Sequence, residues 1–342
     1  ISWIGGLLIF LLGSIYLYQT SNNGGYLSSI FIWILLSTSQ ILFSRNLGVI
    51  GLLQGRGKIA LANKIVAAFK GGILLSCVFA VLLGFSLTGF AAGVFFCSAI
   101  VYVISREVFS RQIEAIPGRN KNFDLSKKDT DQIRELVLKP SLRLWVVQVG
   151  AFLINKGNIL VAGLVLGVME SSAYMLSIIL ISVVTGLAST VVLVYLPQIN
   201  TIQVSESRKA LTLIVKKIYG IAYSIYVAAF ICIFFLGNYI LEFLGSEARL
   251  IDDSLLIIVG IIAFLELNHS LAASYLTTRN EVIFARASVL SGIATVCMGY
   301  ILGSIYGIIG LIIAQGGVQL IYNNWRWPQL MIKDLQSKTK HD

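Results

Sequence analysis

Long apolar runs alternate with short polar connections along the chain, and this pattern predicts membrane-spanning helices. Ten runs are long enough to cross about 30 Å of hydrocarbon as helices. They are 3–18, 26–53, 65–84, 87–104, 142–168, 173–196, 214–236, 254–276, 287–304 and 307–322. Barrel strands would instead give short segments of alternating hydrophobicity. We therefore expect an all-α, polytopic integral membrane protein.

Composition strengthens this prediction. Of the 342 residues, 57% are hydrophobic and 12% are charged, whereas soluble domains average about 25% charged residues. The net charge of +10 would suggest a nucleic-acid partner if the basic residues were clustered on a domain. They lie instead in the connections between apolar runs, as the positive-inside rule requires, so no nucleic-acid partner is expected.

The connections form two alternating sets. The first set carries basic residues at 56–64, 106–139, 208–217, 279–286 and 326–340. The second set, the connections between these, holds one basic residue, Arg249. Because basic connections stay in the cytoplasm, the first set is predicted to be cytoplasmic, with both ends of the chain.

The polar stretch 106–141 is interpreted as a cytoplasmic linker between two bundles, 1–105 and 142–325, with a cytoplasmic tail at 326–342. Within it, 129–138 is expected to form a short helix that ends before Pro140.

Segments 53–63 and 276–286 form a weak internal repeat, because each precedes two shorter runs joined by a glycine-containing turn. Internal repeats are typical of transporters, and equivalent halves would require about two further spans before Ile1.

Lys156 lies near the middle of the run 142–168. It is about 14 residues, or roughly 21 Å along a helix, from the start of that run. This is deep for a lysine that snorkels to an interface. A charge facing lipid at this depth is costly, so we expect Lys156 to face a bundle interior or a watery cavity.

Away from the ends of the runs, four more ionisable residues are candidates for a functional site. Glu266 and His269 are three residues apart, on one helix face, and they fit either a proton relay or an ion pair of Glu266 with Lys156 or Arg45. Arg45 lies deep in the second run. Lys70 is roughly one turn inside the third and could snorkel.

Known catalytic motifs are missing from the sequence: it contains no P-loop, GxSxG or HExxH, and no GxGxxG after a strand. One His–Glu pair lacks the ligands for zinc. We therefore expect no enzymatic activity, no cofactor and no metal site.

Two segments resemble a known superfamily. In LVLGVMESSAYMLSIILISVVTGLASTVVLVYLPQI a run ends at Gly167, a short turn leads into a span containing Tyr174, and Leu196-Pro197 closes that span. LLQGRGKIALANK supplies a basic connection. The chain is thereby similar to the multidrug/oligosaccharidyl-lipid/polysaccharide (MOP) exporter superfamily, and most to bacterial O-antigen and capsule repeat-unit flippases. It would correspond to spans three to twelve of a twelve-span pattern.

The resemblance implies two helical bundles around a central cavity and alternating access. It implies transfer of an undecaprenyl-pyrophosphate-linked oligosaccharide across the bacterial inner membrane, in contact with membrane lipids and with an H⁺ or Na⁺ gradient as the energy source. The cavity cations Arg45, Lys156 and Lys70 would stabilise the pyrophosphate.

This chain differs from related sequences at one place, and the difference changes which residues are expected to couple transport to an ion. Those sequences often have an acid beside the basic residue of the span after the long loop, whereas Gly157 and Asn158 stand there in this chain. Coupling is therefore expected at Glu266 and His269.

Three alternatives remain open. Another lipid-linked precursor flippase would use the same cations. A multidrug exporter of the same superfamily would bind cationic, apolar drugs and should prefer acids in its cavity. A membrane glycan polymerase would need a large basic outer loop, but the longest predicted outer loop, 237–253, is short and acidic.

Overall fold

Helices form all the regular structure in the part of the chain that the structure, a computed structural model, describes. The described residues are 10–11, 13–14, 26–56, 58–85, 87–114, 127–204, 208–279 and 283–337. Eight helices among them are long and apolar enough to cross a membrane. The prediction of an all-α polytopic membrane protein is confirmed, although the first predicted span, 3–18, lies largely outside the described residues.

The chain divides into two compact units, Ile1–Asp124 and Leu125–Asp342. The described helices of the N-terminal unit include α1 (Tyr26–Gly55), α2 (Ile59–Leu82) and α3 (Leu87–Glu114). Those of the C-terminal unit are α4 (Lys127–Val165), α5 (Gly167–Val204), α6 (Arg208–Phe243), α7 (Asp253–Thr277), α8 (Ala285–Ile321) and α9 (Asn323–Gln336).

In the N-terminal unit, α1 and α3 run in the same direction because α2 returns the chain between them. Their contact contains a polar layer in which the Ser39 and Ser98 hydroxyls lie 2.5 Å apart. Seven residues further along each helix, Asn46 and Ser105 are buried too. A seven-residue step returns to nearly the same helix face, so both layers belong to one seam.

In the C-terminal unit, α8 is a hairpin of two helices, 285–306 (α8a) and 308–321 (α8b). They meet at Gly307, whose φ of 61° is a conformation that glycine adopts without steric cost. Asn323 Nδ2 donates to Ser291 Oγ over 2.9 Å, whereas a straight helix would separate these residues by about 48 Å. The ninth and tenth predicted spans, and the glycine-containing turn expected between them, correspond to this hairpin.

Glycines bring α4 into close contact with α8a. A Cβ added to Gly150 would lie 2.4 Å from the backbone carbon of Ser288, and one added to Gly292 would lie 2.9 Å from the backbone oxygen of Gly150. Small residues allow membrane helices to approach in this way. The contact fixes which face of α4 turns away from α8a.

Helices extend further than the sequence analysis expects. The prediction of a separate short helix at 129–138 is wrong, because α4 runs from Lys127 through Pro140 to Val165. Likewise, α5 does not end at Pro197 but continues to Val204. Residues 326–336, expected in a tail, belong to α9, and Trp327 and Met331 are part of the hydrophobic core.

Candidate functional site: a polar cavity in the C-terminal unit

A cavity of about 530 Å³ lies within the C-terminal unit, between α4, α5, α7, α8 and α9. Its volume falls in the range of small-molecule sites, about 300–1,000 Å³. Its walls are mostly apolar, but three of the predicted site residues, Lys156, Glu266 and His269, line it together. Polar neighbours on its walls include Asn155, Ser182, Thr185, Ser189, Ser270, Ser288, Gln315 and Asn323.

Lys156 reaches the cavity because of how α4 packs. The adjacent Gly157 is buried against α8a, where an added Cβ would lie 2.5 Å from Val296. Successive residues on a helix differ by about 100°, so Lys156 turns away from this contact. Its side chain is exposed and lines the cavity. It makes no hydrogen bond or ion pair with any residue that the structure describes.

Glu266 is held by neutral amides. Gln315 Nε2 on α8b donates to Glu266 Oε1 on α7 over 2.9 Å. Asn158 Nδ2 on α4 donates to the backbone oxygen of Leu311 over 3.0 Å and lies 3.5 Å from Gln315 Oε1. The last distance is at the limit of a hydrogen bond. This amide chain links the three helices and ends at the carboxylate, so Glu266 has polar support without a cation beside it among the described residues.

His269 is held from α9. Its Nδ1 lies 2.7 Å from Asn324 Oδ1. The amide oxygen can only accept a hydrogen bond, so Nδ1 carries the proton and donates it. The neighbouring Asn323 donates to Gln319 Oε1 over 2.8 Å and accepts from Trp327 Nε1 over 3.1 Å. Because Asn323 and Trp327 also line the cavity, α9 forms one of its walls.

Several buried polar atoms around this site have no protein partner among the described residues. They are Asn158 Oδ1, Gln319 Nε2 and Asn324 Nδ2. Buried polar groups are normally hydrogen-bonded to protein or water, so these atoms can bind water. No group of three or more His, Cys, Asp and Glu residues within the described parts of the chain could hold a metal ion.

The two other predicted cations lie in the N-terminal unit. Arg45 is exposed on α1, with its guanidinium carbon 5.6 Å from the centre of the Tyr102 ring, as in a cation–π contact. Lys70 is exposed on α2. Of the five site residues predicted from the sequence, the structure therefore places three in one cavity and two in the other unit.

Four amide residues of the site were missed by the sequence analysis: Asn158, Gln315, Asn323 and Asn324. Each interrupts or borders an apolar run, which is the signal that could have revealed them, since polar side chains at membrane depth need a partner. The sequence could not show which of these side chains contact each other, because the partners are far apart along the chain. His269 and Asn324 are separated by 55 residues, and Asn158 and Gln315 by 157.

No protein-family model matches the chain, and no curated protein shows significant similarity to it. Solved structures do resemble it. The chain is 18% identical to a multidrug resistance MATE family transporter of the MOP superfamily in an inward-facing conformation, with a TM-score of 0.63, covering 98% of this chain and 79% of the other. An outward-facing structure of such a transporter gives 16% identity and a TM-score of 0.61, covering 99% and 77%.

A third structure is a MOP superfamily transporter from Pyrococcus furiosus in which the reverse polarity of the binding pocket suggests a different function. It is 17% identical, with a TM-score of 0.62, and 98% of this chain and 78% of the other are covered. At these identities the likeness establishes the fold. The chain thus has the polytopic membrane fold of MATE transporters, in agreement with the superfamily resemblance, while the narrower likeness to O-antigen flippases stays a prediction.

Proposed function

We propose that the chain is a membrane transporter that works by alternating access and whose substrate presents a negative charge to the C-terminal cavity. The observation that carries the proposal is Lys156, which lines the cavity, is exposed and has no ion pair to any described residue. An ammonium at membrane depth is costly unless a counter-charge or water compensates it. An anionic substrate group provides that counter-charge.

The substrate class that fits best is a lipid-linked oligosaccharide carrying a pyrophosphate, moved across the bacterial inner membrane. The cavity of about 530 Å³ is of the size of small-molecule sites. In this proposal it receives the pyrophosphate and the adjoining sugar, while the polyprenyl chain stays in the lipid. The resemblance of 164–199 and 52–64 to repeat-unit flippases supports the same substrate, and Arg45 and Lys70 are proposed as further cations on its path.

Glu266 and His269 are proposed to couple transport to an H⁺ or Na⁺ gradient. Their described hydrogen-bond partners, Gln315 and Asn324, are neutral amides. An amide can donate or accept, so it tolerates either charge state of its neighbour. A proton or cation can therefore reach these residues without first breaking an ion pair.

A second candidate is export of cationic, apolar compounds. Glu266 favours it, since this carboxylate lines the cavity and would attract a cation. The transporters of similar fold include multidrug resistance proteins. In this alternative Glu266 binds the substrate and Lys156 does not.

Two parallel assays with the full gene separate these candidates. One restores surface glycan in a bacterium that lacks its own repeat-unit flippase, and the other restores drug resistance in a bacterium that lacks its multidrug exporter. Restored glycan that is lost in Lys156→Gln supports the anionic substrate, whereas drug resistance that is lost in Glu266→Gln supports the cationic one. Lys64→Gln is the control for charge removal. A chain that reaches the membrane and restores neither phenotype contradicts both.

A further inference from the structure

Helix α9 has two different faces. The inner face is fixed to the C-terminal unit, with Trp327 and Met331 buried and the Asp334 carboxylate 2.8 Å from Arg279 Nη2. On the outer face, Trp325 and Ile332 are 49% and 47% exposed and lie seven residues apart, so they form an apolar stripe.

A basic stripe runs beside the apolar one. Arg326 and Lys333 each follow an apolar stripe residue and are therefore displaced by about 100° around the helix. Arg208 of α6 extends this stripe, because it donates over 2.9 Å to the hydroxyl of Ser337, one turn beyond Lys333. We call Arg326, Lys333 and Arg208 the basic stripe.

The charges of the basic stripe are not neutralised by any described acid. Arg326 donates to the Gln329 side chain over 3.4 Å, and Arg208 donates to the backbone oxygen of Asp334 over 2.7 Å; both acceptors are neutral. The nearby Asp334 carboxylate is already engaged by Arg279 at 2.8 Å and by the Tyr275 hydroxyl at 2.6 Å. Net positive charge therefore remains on the outer surface.

The residues at the start of α9 are typical of a membrane interface. It follows directly on α8b, and Trp325 Nε1 donates to the backbone oxygen of Ile321 in the last turn of that helix over 2.9 Å. Tyr322 contacts the Trp325 ring edge-on at 5.8 Å between centroids. Tryptophan and tyrosine at the end of a span are typical of the headgroup region. An amphipathic helix there inserts its apolar side at the acyl boundary and holds its basic side at the phosphates.

We infer that the outer face of α9 is a binding surface for anionic phospholipid headgroups, with Trp325 and Ile332 inserted beside the acyl chains and the basic stripe on the phosphates. The surface does not depend on the transported substrate. Because the inner face of α9 forms a wall of the polar cavity, lipid bound outside would also hold that wall in place.

Fluorescence quenching tests this inference on the whole protein in phosphatidylcholine vesicles with and without phosphatidylglycerol. The signal of Trp325 is the difference between the chain and its Trp325→Phe variant. Brominated phosphatidylglycerol is expected to quench it at lower mole fraction than brominated phosphatidylcholine. Each basic residue near an anionic surface contributes about five-fold in affinity, so Arg326→Gln with Lys333→Gln should remove most of this preference, as should high salt.

The matched control is Lys64→Gln with Lys216→Gln, which removes the same charge from exposed positions outside α9 and should keep the preference. Quenching by brominated phosphatidylcholine reports whether Trp325 is still in the membrane in each variant. Equal quenching by the two lipids in the unchanged protein overturns the inference. So does a preference that survives the double substitution on α9, or one that the control pair removes equally.

Discussion

The two units each bury an asparagine between packed helices, and the two side chains differ in their hydrogen bonding. Asn158 of the C-terminal unit donates to Leu311 over 3.0 Å and adjoins the amide that supports Glu266. Asn46 of the N-terminal unit has no hydrogen-bond partner for its amide among the described residues. Burial alone therefore does not tell what a buried asparagine does. Asn158 belongs to a hydrogen-bonded network that reaches ionisable cavity residues, whereas Asn46 lies among serine hydroxyls between two helices.

The backbones of the units are more alike than their polar chemistry. In each, a long helix precedes a hairpin that turns at a glycine with positive φ, 65° at Gly84 and 61° at Gly307. These hairpins follow the repeated segments 53–63 and 276–286. The repeated segments therefore indicate where the two hairpins lie in the sequence, but they do not indicate which side chains contact each other.

The largest expected effect comes from the glycine contact between α4 and α8a. Gly150→Ala should lower stability by about 1–3 kcal/mol or more, because its Cβ would overlap the Ser288 backbone, which cannot rotate away as a side chain can. Gly48→Ala on α1 has open space within 4 Å and should be neutral or stabilise by up to about 1 kcal/mol. Thermal unfolding in detergent measures both, and equal melting temperatures for the two variants would refute the close contact.

The comparison of the two asparagines predicts that the same substitution, to leucine, changes protein stability differently at the two positions. Asn158→Leu should destabilise by about 1–2 kcal/mol, because it removes the hydrogen bond to Leu311 and the contact with Gln315. Asn46→Leu replaces a buried amide without described partners by an apolar group with the same branching and number of heavy atoms, so it should be neutral or raise the melting temperature. A loss of stability in Asn46→Leu as large as in Asn158→Leu would mean that Asn46 is hydrogen-bonded in the membrane.

The smallest effects are expected at the ion pairs. Arg279 and Asp334 are 35% and 28% exposed and join α7 to α9, so a double-mutant cycle should give a coupling of about 0.5–1 kcal/mol. The pair Arg111–Glu107 on α3 is 73% and 62% exposed, and its coupling should be at or below about 0.5 kcal/mol. A stronger coupling on α3 than between α7 and α9 would contradict this ranking.

The sequence predicted the helical membrane fold and most of the spans, because length and hydropathy decide whether a helix can cross a bilayer. It also singled out Lys156, Glu266 and His269 as polar residues at membrane depth, although it gave no means of deciding that they share one cavity. That depends on the faces that helices present, and on α4 the glycine contact at Gly150 sets this. Helix continuity through Pro140 was not foreseen either, since a proline disfavours the helical conformation of the residue before it without excluding it.

The central claim is that Lys156 provides the positive charge for an anionic substrate in the C-terminal cavity. The most direct measurement is the rate of transfer of a pyrophosphate-linked lipid oligosaccharide in proteoliposomes, compared for the unchanged chain, Lys156→Gln, Lys156→Arg and the control Lys64→Gln. We expect Lys156→Gln to lower the rate about ten-fold or more, and Lys156→Arg and Lys64→Gln to retain most of it. An unchanged rate in Lys156→Gln, with the protein folded and inserted, would contradict the claim.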